Sequence, residues 1–261
     1  MVHAHPDDEV FATGAAVIAL SDAGWRVVLR VATGGEASED AGLGEAEARR
    51  VRGEKLSQSC ALLGIAEWGW LGEAGEWVDR GGAGAGSVAA AESAILVQAV
   101  RRALVDVRPE LVLSVGRDGL TGHPDHVAIG TAVREATDGT ALGARLRAAD
   151  VVAGREAVEK LAGRPVGSGR VVGAGDDVAL EEIRAGGEKE SAGQESVGVE
   201  SAGRESGHSA EQRRRQALDV YRPGLGTAPI EELLTGRLGD SVLLRAVLDV
   251  AGWNKDLFER L

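Results

Sequence analysis

Apolar and polar positions fall into alternating blocks along the first two-thirds of the chain, and the blocks read in turn as helix and strand. Gly14-Ala-Ala-Val-Ile-Ala-Leu-Ser-Asp-Ala-Gly24 is small and apolar, as a buried helix closed by a glycine cap would be. Trp25 to Ala32 is rich in β-branched residues and predicts a strand running out into the loop Thr33-Gly-Gly-Glu36. Glu45 to Leu63 carries apolar residues at helical spacing and stops at Gly64. Trp68 to Leu71 is a short strand candidate. Ser87 to Val107 reads as an amphipathic helix that must end before Pro109, because the residue preceding a proline is pushed out of the helical region. Leu111 to Val115 is a strand followed by a glycine-rich loop, and a further helix runs from His126 to Ala136.

This alternation predicts an α/β fold: a Rossmann-like parallel sheet with helices on both faces and a site at the carboxyl edge of the strands. Residues 1–175 are expected to form that core. From 176 to 212 the character changes. Glu190, Glu195, Glu200 and Glu205 are each followed by serine at an interval of five, with small residues between them. So few apolar groups cannot offset the entropy of ordering, and a low-complexity insertion, poorly ordered from Gly186 to Ser209, is expected. Residues 213–261 are expected to be a helical segment packing on the core. In it, Ala217 to Tyr221 reads as a helix end, Ser241 to Val250 as an apolar helix or strand, and Trp253 to Leu261 as a short tail.

Composition narrows the function. Aromatic residues are only 3% of the chain, so the core must rest on aliphatic side chains. A net charge of -12 lacks the basic footprint of a nucleic-acid binder and opposes docking on an anionic membrane. Cys60 is the only cysteine, which excludes an intrachain disulfide and a thiolate zinc site. Its place in the series Leu56, Cys60, Leu63 makes it a small buried apolar residue. No apolar run is long enough to span a bilayer, and no signal-peptide pattern precedes His3-Ala4-His5, so a cytoplasmic location is expected. Oligomeric state is not legible.

The chemistry gathers in two His-Pro-Asp motifs, His5-Pro6-Asp7-Asp8-Glu9 and His123-Pro124-Asp125-His126. Each falls where a strand gives way to a helix. A catalytic zinc takes three protein ligands from histidine and carboxylate and keeps one position open. His5 and Asp8 lie three residues apart across a tight turn and can aim at one point, with His126 as the third ligand. Asp7 is placed to take a proton from water whose pKa the metal lowers toward about 7. His123 stands opposite as an acid or oxyanion donor, and Asp125 is expected to hold its tautomer. His3 has no motif partner and reads as structural, as does Glu9 in the first helical turn, unless it orients a ligand. His208 lies in the low-complexity stretch and is expected to be solvated.

The pairing of Ala4-His-Pro-Asp-Asp-Glu9 with Gly122-His-Pro-Asp-His126 resembles the PIG-L/LmbE-like family of zinc-dependent de-N-acetylases. The resemblance covers residues 2 to 175 and, more weakly, Arg213 to Arg222. It implies His5, Asp8 and His126 as metal ligands, Asp7 as general base, and His123 as acid with Asp125 behind it. It also implies Glu36, Arg52 and Asp79 as sugar contacts. The implied cofactor is zinc, with iron(II) as the alternative ion. The implied substrate is a small GlcNAc-type glycoconjugate that loses an N-acyl group. A mycothiol S-conjugate amidase and a truncated, non-catalytic metal or sugar binder are the competing readings. Two departures stand out. Mycothiol-type deacetylases place a tyrosine shortly before the second motif, where this chain has Thr121. Only Met1 to Ala4 precede the first motif, so the first strand is expected to be short and frayed, or to begin upstream.

Overall fold

The structure is a computed structural model that describes residues 1–38, 42–166, 170–186, 208–235 and 239–261. Its elements run β1 (Val2–His3), α1 (Asp8–Phe11), α2 (Gly14–Asp22), β2 (Val28–Val31), α3 (Glu45–Leu63), β3 (Glu67–Trp70), α4 (Ser93–Val107), β4 (Leu113–Val115), α5 (Gly119–Gly122), α6 (Pro124–Ala136), β5 (Leu142–Arg145), α7 (Ala148–Ala162), β6 (Glu181–Arg184), α8 (Ala210–Tyr221), α9 (Asp240–Ala251) and β7 (Lys255–Arg260).

β1, β2 and β3 form a parallel sheet in that order, and β4 and β5 form a second parallel pair. Ser114 in β4 joins the two by donating its hydroxyl to the Val2 carbonyl at 2.8 Å. The five strands therefore follow the order 3-2-1-4-5, with the direction of winding reversing between β1 and β4. In doubly wound folds that reversal opens a crevice at the carboxyl ends of the two strands.

Side-chain alternation along the strands sends residues to two cores. Leu29 and Val31 of β2 join α2, α3, α8 and α9 on one face, while Val2, Ala4 and Ala32 meet α4 and α6 on the other. Helices thus cover both faces, as the sequence pattern predicts. β1 is two residues long but not frayed: Val2 and His3 are buried and paired to Arg30 and Val31.

The structure departs from the sequence expectations at four places. The sheet is mixed, because Lys255–Arg260, expected to be a tail, is a strand running antiparallel between β5 and β6. Leu257 and Phe258 anchor it in the core. β6 itself lies inside the stretch expected to be low in complexity. The helix expected over 87–107 is interrupted. The Ser87 side chain accepts from the Ala90 amide to close a 3₁₀ turn, and α4 restarts at Ser93. Finally, α6 begins at Pro124, two residues before the expected start, with His123 as its N-cap. α3 has the expected bounds, with Gly64 in the left-handed conformation at its cap. The repeat at 190–206, read as poorly ordered, lies outside the described residues, while His208 at its edge is exposed. Among the described residues no helix is long and apolar enough to cross a membrane.

Candidate metal and catalytic site

The two motifs meet at the crevice between β1 and β4. The first motif leaves β1 through a turn in which Asp7 takes a left-handed φ of 109°, a conformation that costs a non-glycine residue energy. This turn places the Asp7 carboxylate at the cleft wall and sends Asp8 and Glu9 inward, where both are buried. The second motif leaves β4 through a loop, and Pro124 at the first position of α6 suits a helix start.

Two donors approach one nitrogen of His126. Nδ1 of His5 lies 2.9 Å from Nε2 of His126, and Oδ1 of Asp8 lies 3.2 Å from the same Nε2. The other Asp8 oxygen accepts from the backbone amides of Ala4 and His5 at 3.1 and 3.0 Å, which locks the carboxylate in place. His126 Nδ1 lies 2.9 Å from the Gly119 carbonyl and must carry the proton there, so its Nε2 lone pair faces the other two donors. His5 Nε2 faces Asp125 at 3.4 Å and Asp79 at 3.8 Å, which places its proton on that side and turns the Nδ1 lone pair inward. Burial alone would lower the His5 pKa, but Asp125, Asp79 and Asp8 overcome it and raise the value to about 9. Burial likewise opposes the charge of Asp8, but His126 and His5 hold its pKa at about 2. The pocket therefore favours positive charge where the donors meet. The His123 ring completes the cluster, 4.8 Å from His5 and 5.1 Å from His126 between centroids, and the three histidines present ring nitrogens within 4.8 Å of one another.

Asp125 takes a different partner from the one expected. Its carboxylate reaches His5 and accepts the Ala89 amide at 2.7 Å, whereas only its backbone amide meets His123, donating to Nδ1 at 3.3 Å. Asp125 thus orients His5. The backbone contact still fixes the His123 tautomer, since an Nδ1 that accepts leaves the proton on Nε2. Burial and the neighbouring His5 and His126 lower the His123 pKa, so the ring favours its neutral form.

The three expected sugar contacts divide. Asp79 lines a cleft of about 570 Å³ together with His5, Asp7, Arg52, His123 and Arg170. Glu36 does not line it. One of its oxygens accepts from the Gly34 amide and Arg49, and the other accepts the Asp79 amide at 2.9 Å. With both oxygens taken by protein, Glu36 holds Asp79 in place. Arg52 is largely buried, bonding the Gly34 and Pro6 carbonyls and approaching the Asp7 carboxylate at 3.3 Å. Partial burial and the charge of Asp8 raise the Asp7 pKa to about 6 against the opposing pull of Arg52.

His3, read as structural, is fully buried with Nε2 3.0 Å from the Thr13 hydroxyl, and burial lowers its pKa to about 4. Sequence reasoning missed the supports behind the motifs. Glu9 accepts from Ser59, Tyr221 and the Asp7 amide, and burial raises its pKa to about 7. The loop carrying Gly119 is held by an Asp118–Arg145–Glu259 ion network reaching to β7. No spacing rule marks these residues, because their partners lie far away in sequence.

Strand order, switch point and paired motifs agree with the comparison against known proteins. The chain matches the family model for PIG-L, GlcNAc-PI de-N-acetylase, over residues 1–137 of its 261, and it belongs to that family. Among curated proteins it is 36% identical over 158 residues to the 1D-myo-inositol 2-acetamido-2-deoxy-alpha-D-glucopyranoside deacetylase of Acidothermus cellulolyticus, covering 54% of this chain and 53% of that protein. The enzyme of the same name from Rhodococcus erythropolis is 35% identical over 153 residues, covering 52% of each chain. The chain spans about half the length of these relatives. Among solved structures, the A40926 pseudoaglycone deacetylase aligns over 99% of this chain and 95% of its own, with a TM-score of 0.55 at 16% identity. At that identity the likeness is one of fold.

Proposed function

We propose that the protein is a zinc-dependent amidohydrolase that removes the N-acetyl group from a small GlcNAc-type glycoconjugate. The observation that carries this reading is the convergence of the His5, Asp8 and His126 donors beside a cleft that Asp7 and His123 flank. The names of the curated relatives favour a sugar N-acetyl group over a thiol-conjugate amide as the bond cleaved.

The donor set fits zinc. Two ligands about 2.0–2.1 Å from a tetrahedral zinc stand about 3.3 Å apart, and His126 Nε2 lies 2.9 Å from His5 Nδ1 and 3.2 Å from Asp8 Oδ1. Without a metal, the raised His5 pKa lets an Nδ1 proton bridge to His126 Nε2, and a metal ion would take that proton's place. His5, Asp8 and His126 would hold the ion, which supplies an acidified water and Lewis-acid stabilisation of an acyl oxygen. Iron(II) satisfies the same donors.

Asp7, with a pKa of about 6, is basic enough to accept a proton from water at neutral pH and acidic enough to return it. Arg52 points the carboxylate of Asp7 into the cleft. The Nε2 proton of His123 is available to the carbonyl oxygen as negative charge develops there. Asp79 faces the same cleft and accepts a sugar hydroxyl, held in position by Glu36. The test is acetate release from 1D-myo-inositol 2-acetamido-2-deoxy-alpha-D-glucopyranoside by the zinc-loaded protein. Asp7→Asn should keep its metal and lose at least about a hundredfold in kcat. Wild-type turnover by that variant would remove Asp7 as the base.

A further inference from the structure

The segment that follows residue 207 lies outside the matched family region, yet it reaches the first motif. α8 packs along α3 and delivers Tyr221, a buried side chain whose hydroxyl donates to Glu9 Oε1 at 2.7 Å. Ser59 donates to the same oxygen at 2.6 Å. The other Glu9 oxygen accepts the backbone amide of Asp7 at 2.9 Å. The Tyr221 ring also lies beneath the Arg52 guanidinium, 5.4 Å from it to the centroid, and Arg52 reaches the Asp7 carboxylate.

Two routes therefore run from one tyrosine to one aspartate. The first passes through Glu9 to the Asp7 backbone, which sits in a strained left-handed turn and has to be held there. The second passes through Arg52 to the Asp7 carboxylate. The Ser59 and Tyr221 hydroxyls both reach one Glu9 oxygen, and the Asp7 amide donates to the other.

We infer that Tyr221 is a positioning residue for Asp7, acting through Glu9 and Arg52, and that α8 is thereby part of the catalytic apparatus. This rests on the reading of Asp7 as the base. Tyr221 touches neither the metal ligands nor the cleft, so its effect should fall on turnover and not on metal or substrate binding.

The experiment compares wild type, Tyr221→Phe and Glu9→Gln with zinc bound. Tyr221→Phe keeps the ring beneath Arg52 and deletes only the hydroxyl. Two readouts are taken. Hydrogen exchange at the Asp7 amide needs no substrate and should accelerate about tenfold in Tyr221→Phe and more in Glu9→Gln, in line with the loss of one hydrogen bond to a charged group. For acetate release, kcat should fall about tenfold in Tyr221→Phe while KM and zinc stoichiometry stay within about twofold of wild type. A merely structural role would lower thermal stability and leave kcat at wild type in the folded fraction. Unchanged exchange at Asp7 overturns the inference whatever the activity does, and so does unchanged kcat whatever the exchange does. If wild type releases no acetate, the proposed function fails, and the exchange measurement alone still decides whether Tyr221 holds Asp7.

Discussion

Replacing Arg214 with methionine should be among the most damaging single changes outside the cleft. Arg214 is completely buried in α8. Its guanidinium donates to the carbonyls of Val10, Phe11 and Trp253 and pairs with Asp256 at 2.8 Å. Asp256 in turn accepts the Ala16 amide at the start of α2. The pair ties α1, α2, α8 and β7 together, and Gly14 has to lack a side chain to let it in, since a Cβ there would stand 2.8 Å from Arg214 Nε. Methionine fills much of the volume but leaves Asp256 buried without its counter-ion. Breaking a buried pair in this way costs about 3–5 kcal/mol. At about 2–4 °C per kcal/mol for a chain of this size, Tm should fall by about 6–20 °C.

The pH dependence of that loss has a definite sign. Burial already raises the Asp256 pKa despite Arg214, and without Arg214 it rises further. A carboxyl whose folded pKa exceeds its unfolded value costs nothing extra below the unfolded pKa and destabilises as pH rises through the folded one. The gap in Tm between wild type and Arg214→Met should therefore be smaller near pH 4, where the three carbonyls left without a donor still contribute, and widen toward pH 8. Thermal unfolding by circular dichroism across that range measures it. A gap below about 2 °C at every pH would refute the assignment of Arg214 as a tie. A gap that does not change with pH would refute the role of the Asp256 charge.

Two further outcomes follow from the same contacts. Asp125→Asn removes the carboxylate that orients His5, so zinc affinity should weaken about 10- to 100-fold, as read by competition with a chelating dye. Cys60 is buried, and that burial, with Glu9 nearby, pushes its thiol pKa well above the usual range. Ellman's reagent should therefore label one thiol only after denaturant is added, and rapid labelling of the native protein would contradict the packing.

The parts legible in the sequence were those with a local signature. α3 could be read because its period runs unbroken from Glu45 to a glycine that adopts φ 89°. The two motifs could be paired because the strand-to-helix pattern put both at one sheet edge. β5 escaped because Leu-Gly-Ala-Arg contains no β-branched residue, and β7 because Lys-Asp-Leu-Phe-Glu-Arg is mostly charged. Both are made strands by their neighbours and not by propensity. The side-chain contact of Asp125 was not legible for a related reason. His123 lies two residues before it in the same motif, but the start of α6 carries the carboxylate across the crevice to His5, which follows β1. Arg52 and Glu36 were found by resemblance, yet their positioning tasks depend on the Pro6 carbonyl and the Asp79 amide, at 46 and 43 residues' separation.

The central claim is that His5, Asp8 and His126 hold one zinc ion. It is tested most directly by metal content, measured by mass spectrometry on wild type and His126→Ala after dialysis against zinc at a fixed low concentration. One zinc per chain is expected for wild type and less than about a tenth of that for the variant, with the far-ultraviolet circular dichroism of both superimposable. Zinc at wild-type stoichiometry in a folded His126→Ala protein would contradict it.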